Sequence, residues 1–291
     1  MQYFRMSRWM LTAIVLLFFA ACEETPQQAE KSADGKLFII GGGKRPADMV
    51  QEMIRLSGTD TAGYIVVLPM ASSEPDTSGW YGKKQFTDQG LRDVVVMNIQ
   101  DAEACSGDCL DSIANASMIY ITGGDQSKFM DIVLGTGIHE AIWQAYSDGS
   151  LIAGTSAGAA VMSKKMITGN EFKHPEYTGD FRTIEAENME IREGLGLIGN
   201  AIVDQHFVWR MRMNRLISVA LENPGDHCFG IDESTALIVD GNTLSVYGES
   251  QVVHMIYNGL ARTNEKGLIG GRGLELDILL PGDKLTLSPG P

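Results

Sequence analysis

Short apolar runs alternate with helix-compatible stretches along the first part of the chain after residue 35. Runs of this kind are typical of buried parallel strands that carry helices on both faces. Several of them end in glycine-rich turns, so we expect a site at the carboxyl ends of the strands. The pattern therefore predicts an α/β fold. The runs are Leu37–Ile40, Tyr64–Leu68, Val94–Ile99, Met118–Ile121 and Leu151–Ala153, and the turns are Gly41–Gly43, Gly123–Gly124 and Gly154–Gly158.

The last third of the chain has a different pattern. Thr235–Val239, Thr243–Tyr247 and Val252–Tyr257 are rich in β-branched residues and alternate between apolar and polar positions. Asp240 and Gly241 separate the first two of these runs, as in a tight hairpin. The pattern predicts antiparallel strands that extend the main sheet.

The beginning of the chain resembles an export signal. Arg5 and Arg8 precede an apolar stretch, Met10–Ala20, that is too short to span a bilayer with margin. Phe19–Cys22 resembles a lipobox, which predicts lipidation of Cys22; the alternative is an ordinary signal peptide cleaved near Ala21. We therefore expect a signal peptide at residues 1–21, a lipidated cysteine and flexible tether at residues 22–35, and a single α/β domain at residues 36–291. This organisation predicts a lipoprotein of the bacterial cell envelope, held at the membrane by its lipid alone.

Charge and cysteine content narrow the picture further. The formal net charge is −14, or −16 without Arg5 and Arg8, which argues against nucleic-acid partners and against electrostatic binding to anionic lipid. Cys105 and Cys109 can close a short disulfide in an exported protein. A metal site would need further cysteine or histidine ligands close to them in the sequence, and there are none. Cys228 is predicted to be a buried apolar residue.

The most informative local pattern is Gly154-Thr-Ser156-Ala-Gly158, between an apolar strand and a helix-compatible stretch of small residues. A G-x-S-x-G sequence at a strand-to-helix turn is typical of a nucleophile elbow. Small neighbours allow the backbone to pass closely around a strained serine. The amide of Ala157 would then point toward an anionic oxygen. The alternative is a turn that only packs tightly.

A serine nucleophile needs a base, and the base needs an acid that orients it. His206 ends the apolar run at residues 199–203, whereas His254 lies in an alternating strand near the end of the chain. The residues alone leave both histidines open, since an order of serine, acid and His254 would match an α/β-hydrolase.

Four local patterns stand out together: Thr122–Gln126, Gly154–Ala159, Asp204–Phe207 followed by Arg210, Arg212 and Arg215, and Gly230–Ala236. Taken jointly they resemble the cyanophycinase branch of the S51 serine peptidases, which are relatives of the aspartyl dipeptidases. The resemblance implies a three-layer, mostly parallel, flavodoxin-like sheet of the kind found in class I glutamine amidotransferases, a homodimer, and no cofactor or metal.

Carried over to this chain, the resemblance makes Ser156 the nucleophile, His206 the base and Glu233 the acid that fixes the imidazole. We place the oxyanion between the Ala157 amide and an amide of Gly124 or Asp125. The resemblance assigns the remaining motif positions to substrate binding; these are Gln126, Asp204, Gln205, Arg210, Arg212 and Arg215.

The resemblance also implies a substrate, the polyaspartate–arginine polymer cyanophycin, cut in its main chain to release β-Asp-Arg dipeptides. Three arginines in an acidic chain suit the free carboxylates of that polymer, and a carboxylate such as Asp204 could face its guanidinium groups. The alternatives are an aspartyl dipeptidase or isopeptidase acting on short peptides, and a peptide-binding lipoprotein without turnover. The acidic segment from Lys164 to Gly194 is predicted to be a solvated surface helix, or a lid or rim that alters substrate choice.

Overall fold

The computed structural model describes residue 1 and residues 35–176 and 178–287. Cys22 and nearly all of the predicted signal peptide and tether lie outside these residues. Within the described part, none of the helices combines the length and the apolar character that crossing a bilayer requires.

The elements follow one another in mixed α/β order. The strands are β1 (Lys36–Ile40), β2 (Ile65–Leu68), β3 (Val94–Val96), β4 (Met118–Ile121), β5 (Leu151–Thr155), β6 (Lys165–Glu171), β7 (Met189–Glu193), β8 (Ala201–Gln205), β9 (His227–Ile231), β10 (Thr235–Asp240), β11 (Thr243–Gly248), β12 (Val252–Tyr257), β13 (Arg262–Thr263), β14 (Ile269–Gly270), β15 (Leu274–Leu279) and β16 (Lys284–Thr286). The helices are α1 (Ala47–Ser57), α2 (Pro75–Thr87), α3 (Asp108–Ala114), α4 (Gln126–Val133), α5 (Gly137–Ser147), α6 (Ala157–Ala160) and α7 (Met213–Glu222), with a 3₁₀ turn at Ala102–Ala104.

The central sheet has eight strands in the order β16-β11-β10-β1-β5-β4-β2-β3. Strands β1 to β5 are parallel to their neighbours among these five. Side chains alternate between the two faces of each strand, so Leu37 and Ile39 join one buried apolar cluster while Phe38 and Ile40 join another. Both faces are therefore covered, and the predicted α/β fold with a mostly parallel sheet is confirmed.

The antiparallel additions are partly those predicted. β10 pairs with β1 and β11 pairs with β10, both antiparallel, and thereby extend the central sheet. β12 was predicted to do the same, and that prediction is wrong. It pairs with β9 and β15 in a second sheet of four strands, ordered β15-β12-β9-β8. The prediction failed because the alternation of apolar and polar residues shows which face of a strand is buried but not which strand pairs with it.

The acidic segment between β5 and β8 is a hairpin. β6 and β7 pair antiparallel, with a register shift between Ile167 and Glu171. The predicted surface helix is therefore wrong for this segment. Ile167 and Met189 are buried in an apolar cluster with residues of α7, which gives the hairpin its own packed face.

The three described cysteines behave as their sequence context predicted. Cys105 and Cys109 are joined by a disulfide. Cys228 is buried, and burial raises the pKa of its thiol to about 12, so that it stays protonated and inert.

The two sheets meet where the site forms. The carboxyl ends of β1, β4 and β5 lie side by side in the central sheet. The end of β8 joins them because the His206 amide donates a hydrogen bond of 2.7 Å to the Gly41 carbonyl, directly after β1. The glycine-rich turns that follow β1, β4 and β5 therefore lie next to the residues that follow β8.

Candidate active site

Ser156 occupies the sharp turn between β5 and α6. Its φ of 55° and ψ of −111° are rare for a residue with a side chain, and its amide donates to the Ile40 carbonyl at 3.0 Å. A Cβ on Gly154 would lie 2.3 Å from the Gly158 carbonyl oxygen, and one on Gly158 would lie 2.3 Å from the Ile121 carbonyl oxygen. Glycine is required at both positions, so the turn predicted from the G-x-S-x-G pattern is present.

His206 bridges Ser156 and Glu233. Its Nε2 lies 2.9 Å from Ser156 Oγ, and its Nδ1 lies 2.6 Å from Glu233 Oε1. A carboxylate only accepts hydrogen bonds, so Nδ1 carries the proton and Nε2 accepts from the serine hydroxyl. This arrangement can remove the serine proton during attack on a carbonyl.

Glycines hold the imidazole in place. A Cβ on Gly42 would lie 2.2 Å from His206 Cε1, and a Cβ on Gly43 would lie 2.7 Å from Glu233 Cβ. The turn after β1 therefore packs directly against the base and its acid. His206 itself has a φ of 51°, a second strained residue at this junction.

The surroundings keep His206 neutral. Burial lowers the pKa of its imidazole below the ordinary value, and the cations Arg210 and Arg212 lower it further, while the hydrogen bond that His206 donates to the Glu233 carboxylate acts in the opposite direction. A lowered pKa means that the base is unprotonated, and therefore able to accept a proton, at neutral pH.

One of the two amides considered for the oxyanion is already occupied. The Asp125 amide donates to the Ala71 carbonyl at 2.8 Å, and the Asp125 carboxylate caps α4 by accepting from the Ser127 amide at 2.8 Å. The prediction that the Asp125 amide could bind the oxyanion is therefore corrected: the residue has a structural role. Gly124 and Ala157 remain as donors, and a Cβ on Gly124, whose φ is 145°, would lie 2.1 Å from the Ala71 carbonyl oxygen.

A cavity of roughly 370 Å³, called the first cavity below, opens beside Ser156. Its wall is polar and cationic. It contains every residue that the resemblance assigned to substrate binding except Asp204. The lining residues are Gly124, Asp125, Gln126, Ser127, Ser156, Thr168, Gly169, Asn170, Gln205, Arg210, Arg212 and Arg215.

The three arginines differ in how far they are held by the protein. Arg210 is exposed, and no acceptor among the described residues lies within hydrogen-bond distance of its guanidinium. Arg212 is buried and donates to the carbonyl and the side-chain oxygen of Gln205. Arg215 is buried as well, with its guanidinium 4.5 Å from the ring of Phe181. Arg210 is thus the exposed cation of the wall, whereas Arg212 and Arg215 are buried and held by contacts with the protein.

Asp204 does not face the cavity as a free carboxylate. Its side chain is fully buried and accepts from Arg215 Nε at 2.6 Å, from Arg215 Nη2, and from the Gln205 amide at 2.7 Å. The expectation that Asp204 meets a substrate guanidinium is therefore corrected: the carboxylate positions Arg215.

The two predicted glutamines lie in the wall and are partly engaged. Gln126 is buried, and its Nε2 donates to the carbonyls of Ile167 and Thr168 at 2.9 and 2.6 Å, which ties α4 to β6. The side-chain oxygen of Gln205 accepts from Arg212. These contacts use both N–H groups of Gln126 and leave its oxygen for a ligand.

The position of the hairpin at the cavity fits the rim that was one of the sequence predictions for this segment, but sequence reasoning missed which of its residues form the wall. Thr168, Gly169 and Asn170 of β6 line the first cavity. The acidic composition of the segment drew attention to its charges, whereas the wall is formed by its small polar residues. A lone Thr-Gly-Asn run carries no signal that would have identified it.

His254, the other histidine that the sequence allowed as the base, does not lie beside Ser156. Its Nε2 is 2.9 Å from Nδ1 of His227, and its Nδ1 is 3.3 Å from Asp277. It sits on β12 of the second sheet, stacked on Phe229, with its hydrogen bonds made there and not to Ser156.

Comparisons with known proteins agree with this geometry. The model of peptidase family S51 matches residues 37–247. Cyanophycinase from Trichormus variabilis is 34% identical over 274 residues, covering 90% of this chain and 88% of the relative. Cyanophycinase from Geminocystis herdmanii is 30% identical over 259 residues, covering 85% and 92% respectively.

Two solved structures share the fold. A peptidase from an acI-B1 Actinobacterium superposes with a TM-score of 0.65 at 21% identity, covering 88% of this chain and 98% of that one. A putative peptidase E protein from Listeria monocytogenes gives a TM-score of 0.53 at 17% identity, covering 74% and 99%.

Proposed function

This chain belongs to peptidase family S51 and is a serine-type peptidase, and on that premise we propose that it hydrolyses the main chain of cyanophycin to β-Asp-Arg dipeptides. The observation that carries the proposal is the first cavity, in which the arginine-rich wall adjoins Ser156. Cyanophycin presents a free carboxylate on every arginine, and guanidinium groups bind carboxylates bidentately. Two relatives whose length this chain largely covers are cyanophycinases.

The mechanism we propose uses three side chains and two amides. His206 Nε2 takes the Ser156 proton as Oγ attacks the scissile carbonyl, and the new oxyanion accepts hydrogen bonds from the Ala157 and Gly124 amides. The carbon–nitrogen bond then breaks, and His206 gives its proton to the departing amine. Water, deprotonated by the same imidazole, hydrolyses the acyl-serine and restores Ser156. Glu233 keeps the Nδ1 proton in place throughout.

The test is incubation of the purified chain with cyanophycin beside Ser156→Ala. Release of β-Asp-Arg by the wild type, with a loss of about 10⁴-fold or more in the variant, is expected. Labelling of Ser156 by a fluorophosphonate without release from the polymer would favour an aspartyl dipeptidase or isopeptidase. Neither release nor labelling would favour a peptide-binding protein.

Export and anchoring form a separate proposal. Arg5 and Arg8, the apolar stretch after them and the sequence before Cys22 support a lipoprotein of the cell envelope, and the Cys105–Cys109 disulfide suits an oxidising compartment. Metabolic labelling with radioactive palmitate tests it, since Cys22→Ser should abolish incorporation. The homodimer implied by the family resemblance is tested by light scattering of the purified chain.

A further inference from the structure

A second cavity of roughly 350 Å³ also borders Ser156, the one residue that its lining shares with that of the first cavity. It is lined by the turn after β1, by α2 and by the ends of β4 and β5. Ser156 lines both cavities, but His206 lines only the second one. Its lining includes the side chains of Arg45, Tyr120, Thr155 and His206.

The position of His206 decides which part of a substrate each cavity takes. In serine-peptidase chemistry the imidazole that accepted the serine proton must pass it to the leaving amine. The amine must therefore depart on the side where His206 lies. The first cavity then holds the acyl part, and the second cavity holds the peptide that leaves.

Arg45 is the only arginine or lysine that lines the second cavity among its described residues. It is half-buried, with Nη1 donating to the Gly43 carbonyl at 2.7 Å and Nε donating to Gln85 Oε1 at 3.2 Å. Both acceptors are neutral, and no described carboxylate lies within ion-pair distance of it. Arg45 is therefore a cation held in place by neutral groups and without a carboxylate partner, in a chain whose net charge is −14. A guanidinium in this position can bind an anionic group of a ligand.

Two hydroxyl groups in the same wall lack partners. Tyr120 and Thr155 are more than nine-tenths buried, and within the described part of the chain neither hydroxyl oxygen has a hydrogen bond. They project from the same face of the sheet, since Tyr120 is opposite Ala153 in the β4–β5 register and Thr155 follows two residues later. Buried hydroxyls are nearly always hydrogen-bonded, so two unpartnered ones beside a cation point to a ligand.

We propose that the second cavity is the leaving-group subsite and that Arg45 binds a carboxylate of the departing peptide there. Tyr120 and Thr155 supply hydroxyl donors to the same ligand. The inference rests on the proposed function, from which it takes Ser156 as nucleophile and His206 as acid. It adds specificity: the enzyme requires an anionic group on the leaving side of the scissile bond.

The direct test is acyl transfer from an acetyl-enzyme made with p-nitrophenyl acetate, a donor that does not depend on the polymer. An added amine takes the acetyl group from Ser156: the Oγ–carbon bond breaks, a carbon–nitrogen bond forms, and the amine proton returns to Oγ through His206. The ratio of N-acetyl product to acetate measures how well the amine occupies the leaving-group side. The acceptors are β-Asp-Arg and the same dipeptide with both carboxylates converted to carboxamides.

Wild type should prefer the carboxylate acceptor by about tenfold or more, and Arg45→Met should remove that preference. Lys44→Met is the matched control, because it makes the same charge change at an exposed neighbouring residue and should keep the preference. Tyr120→Phe should lower the ratio of N-acetyl product to acetate for both acceptors, a ratio that does not depend on how fast the ester acetylates Ser156. An undiminished preference in Arg45→Met would overturn the assignment.

A second measurement separates this inference from the proposed function. If no acetyl-enzyme forms, the proposed nucleophile fails, and titration calorimetry of β-Asp-Arg into the Ser156→Ala chain decides the subsite alone. A drop in affinity of about tenfold on adding Arg45→Met, absent on adding Lys44→Met, supports a carboxylate site. Equal affinities in all three chains overturn it.

Discussion

Arg215 donates hydrogen bonds to the Asp204 carboxylate through both Nε and Nη2, and both side chains are almost fully buried at the wall of the first cavity. The pair connects α7 to the end of β8, one residue before Gln205 and two before His206. Its role is therefore to hold the segment that carries the base.

Breaking this pair should cost much stability. Arg215→Met leaves a buried carboxylate without its main partner, and the free energy of unfolding should fall by about 3–5 kcal/mol. Urea denaturation measures it. Lys36→Met provides the comparison, because it breaks an ion pair with Asp240 whose side chains are 30% and 62% exposed and should cost about 1 kcal/mol or less. Equal losses in the two variants would contradict a buried, structural pair.

A side chain at position 42 should displace His206, the proposed base. In Gly42→Ala the new methyl group would overlap His206 Cε1, so the imidazole must move and kcat should fall by about 10²-fold or more. Gly90→Ala is the control for backbone strain, since Gly90 also has a positive φ but has open space around it. Ester hydrolysis and thermal unfolding, measured together, separate the two effects. Similar activity in both variants would show that the ring tolerates the methyl group.

The sequence allowed the parallel sheet and the Ser156, His206 and Glu233 cluster to be predicted, for different reasons. The sheet follows from buried apolar runs and the turn from three small residues, both of which are local signals. The choice of His206 over His254 needed the family resemblance, because both histidines end or interrupt a plausible strand. Other features escaped prediction, among them the pairing of Asp204 with Arg215 and the position of Arg45 away from any described carboxylate. They depend on which side chains meet across distant elements, and residue spacing does not encode that.

Arg210 should separate polymer cleavage from ester cleavage. It is the exposed arginine of the first cavity wall, so Arg210→Ala should lower kcat/KM for cyanophycin by about tenfold or more while changing p-nitrophenyl acetate hydrolysis little. Release of β-Asp-Arg and of nitrophenol measure the two activities. Lys44→Ala controls for the loss of one surface charge. Equal loss on both substrates would remove Arg210 from substrate binding.

The pH profile should respond to the charges around His206. Burial holds the pKa of His206 below its ordinary value of 6.5, so the acid limb of kcat/KM for the ester should lie below that pH. Arg210→Met removes a cation that disfavours the imidazolium, and the limb should move to higher pH. Glu233→Gln removes a carboxylate that favours the imidazolium, and the limb should move to lower pH, with a slower plateau. Shifts in the same direction for both variants would contradict these assignments.

His227 and His254 should make stability depend on pH through a different route. Their rings are stacked with an Nδ1–Nε2 distance of 2.9 Å, and burial lowers the pKa of both below 6.5. The unfolded chain therefore binds protons first as the pH falls. Their contribution to stability is complete above pH 6.5 and is lost as the pH drops through the folded-state values. Urea denaturation on either side of that pH should show a fall in the free energy of unfolding that is smaller in the double variant His227→Asn and His254→Asn. An unchanged pH dependence in that variant would place the acid-sensitive groups elsewhere.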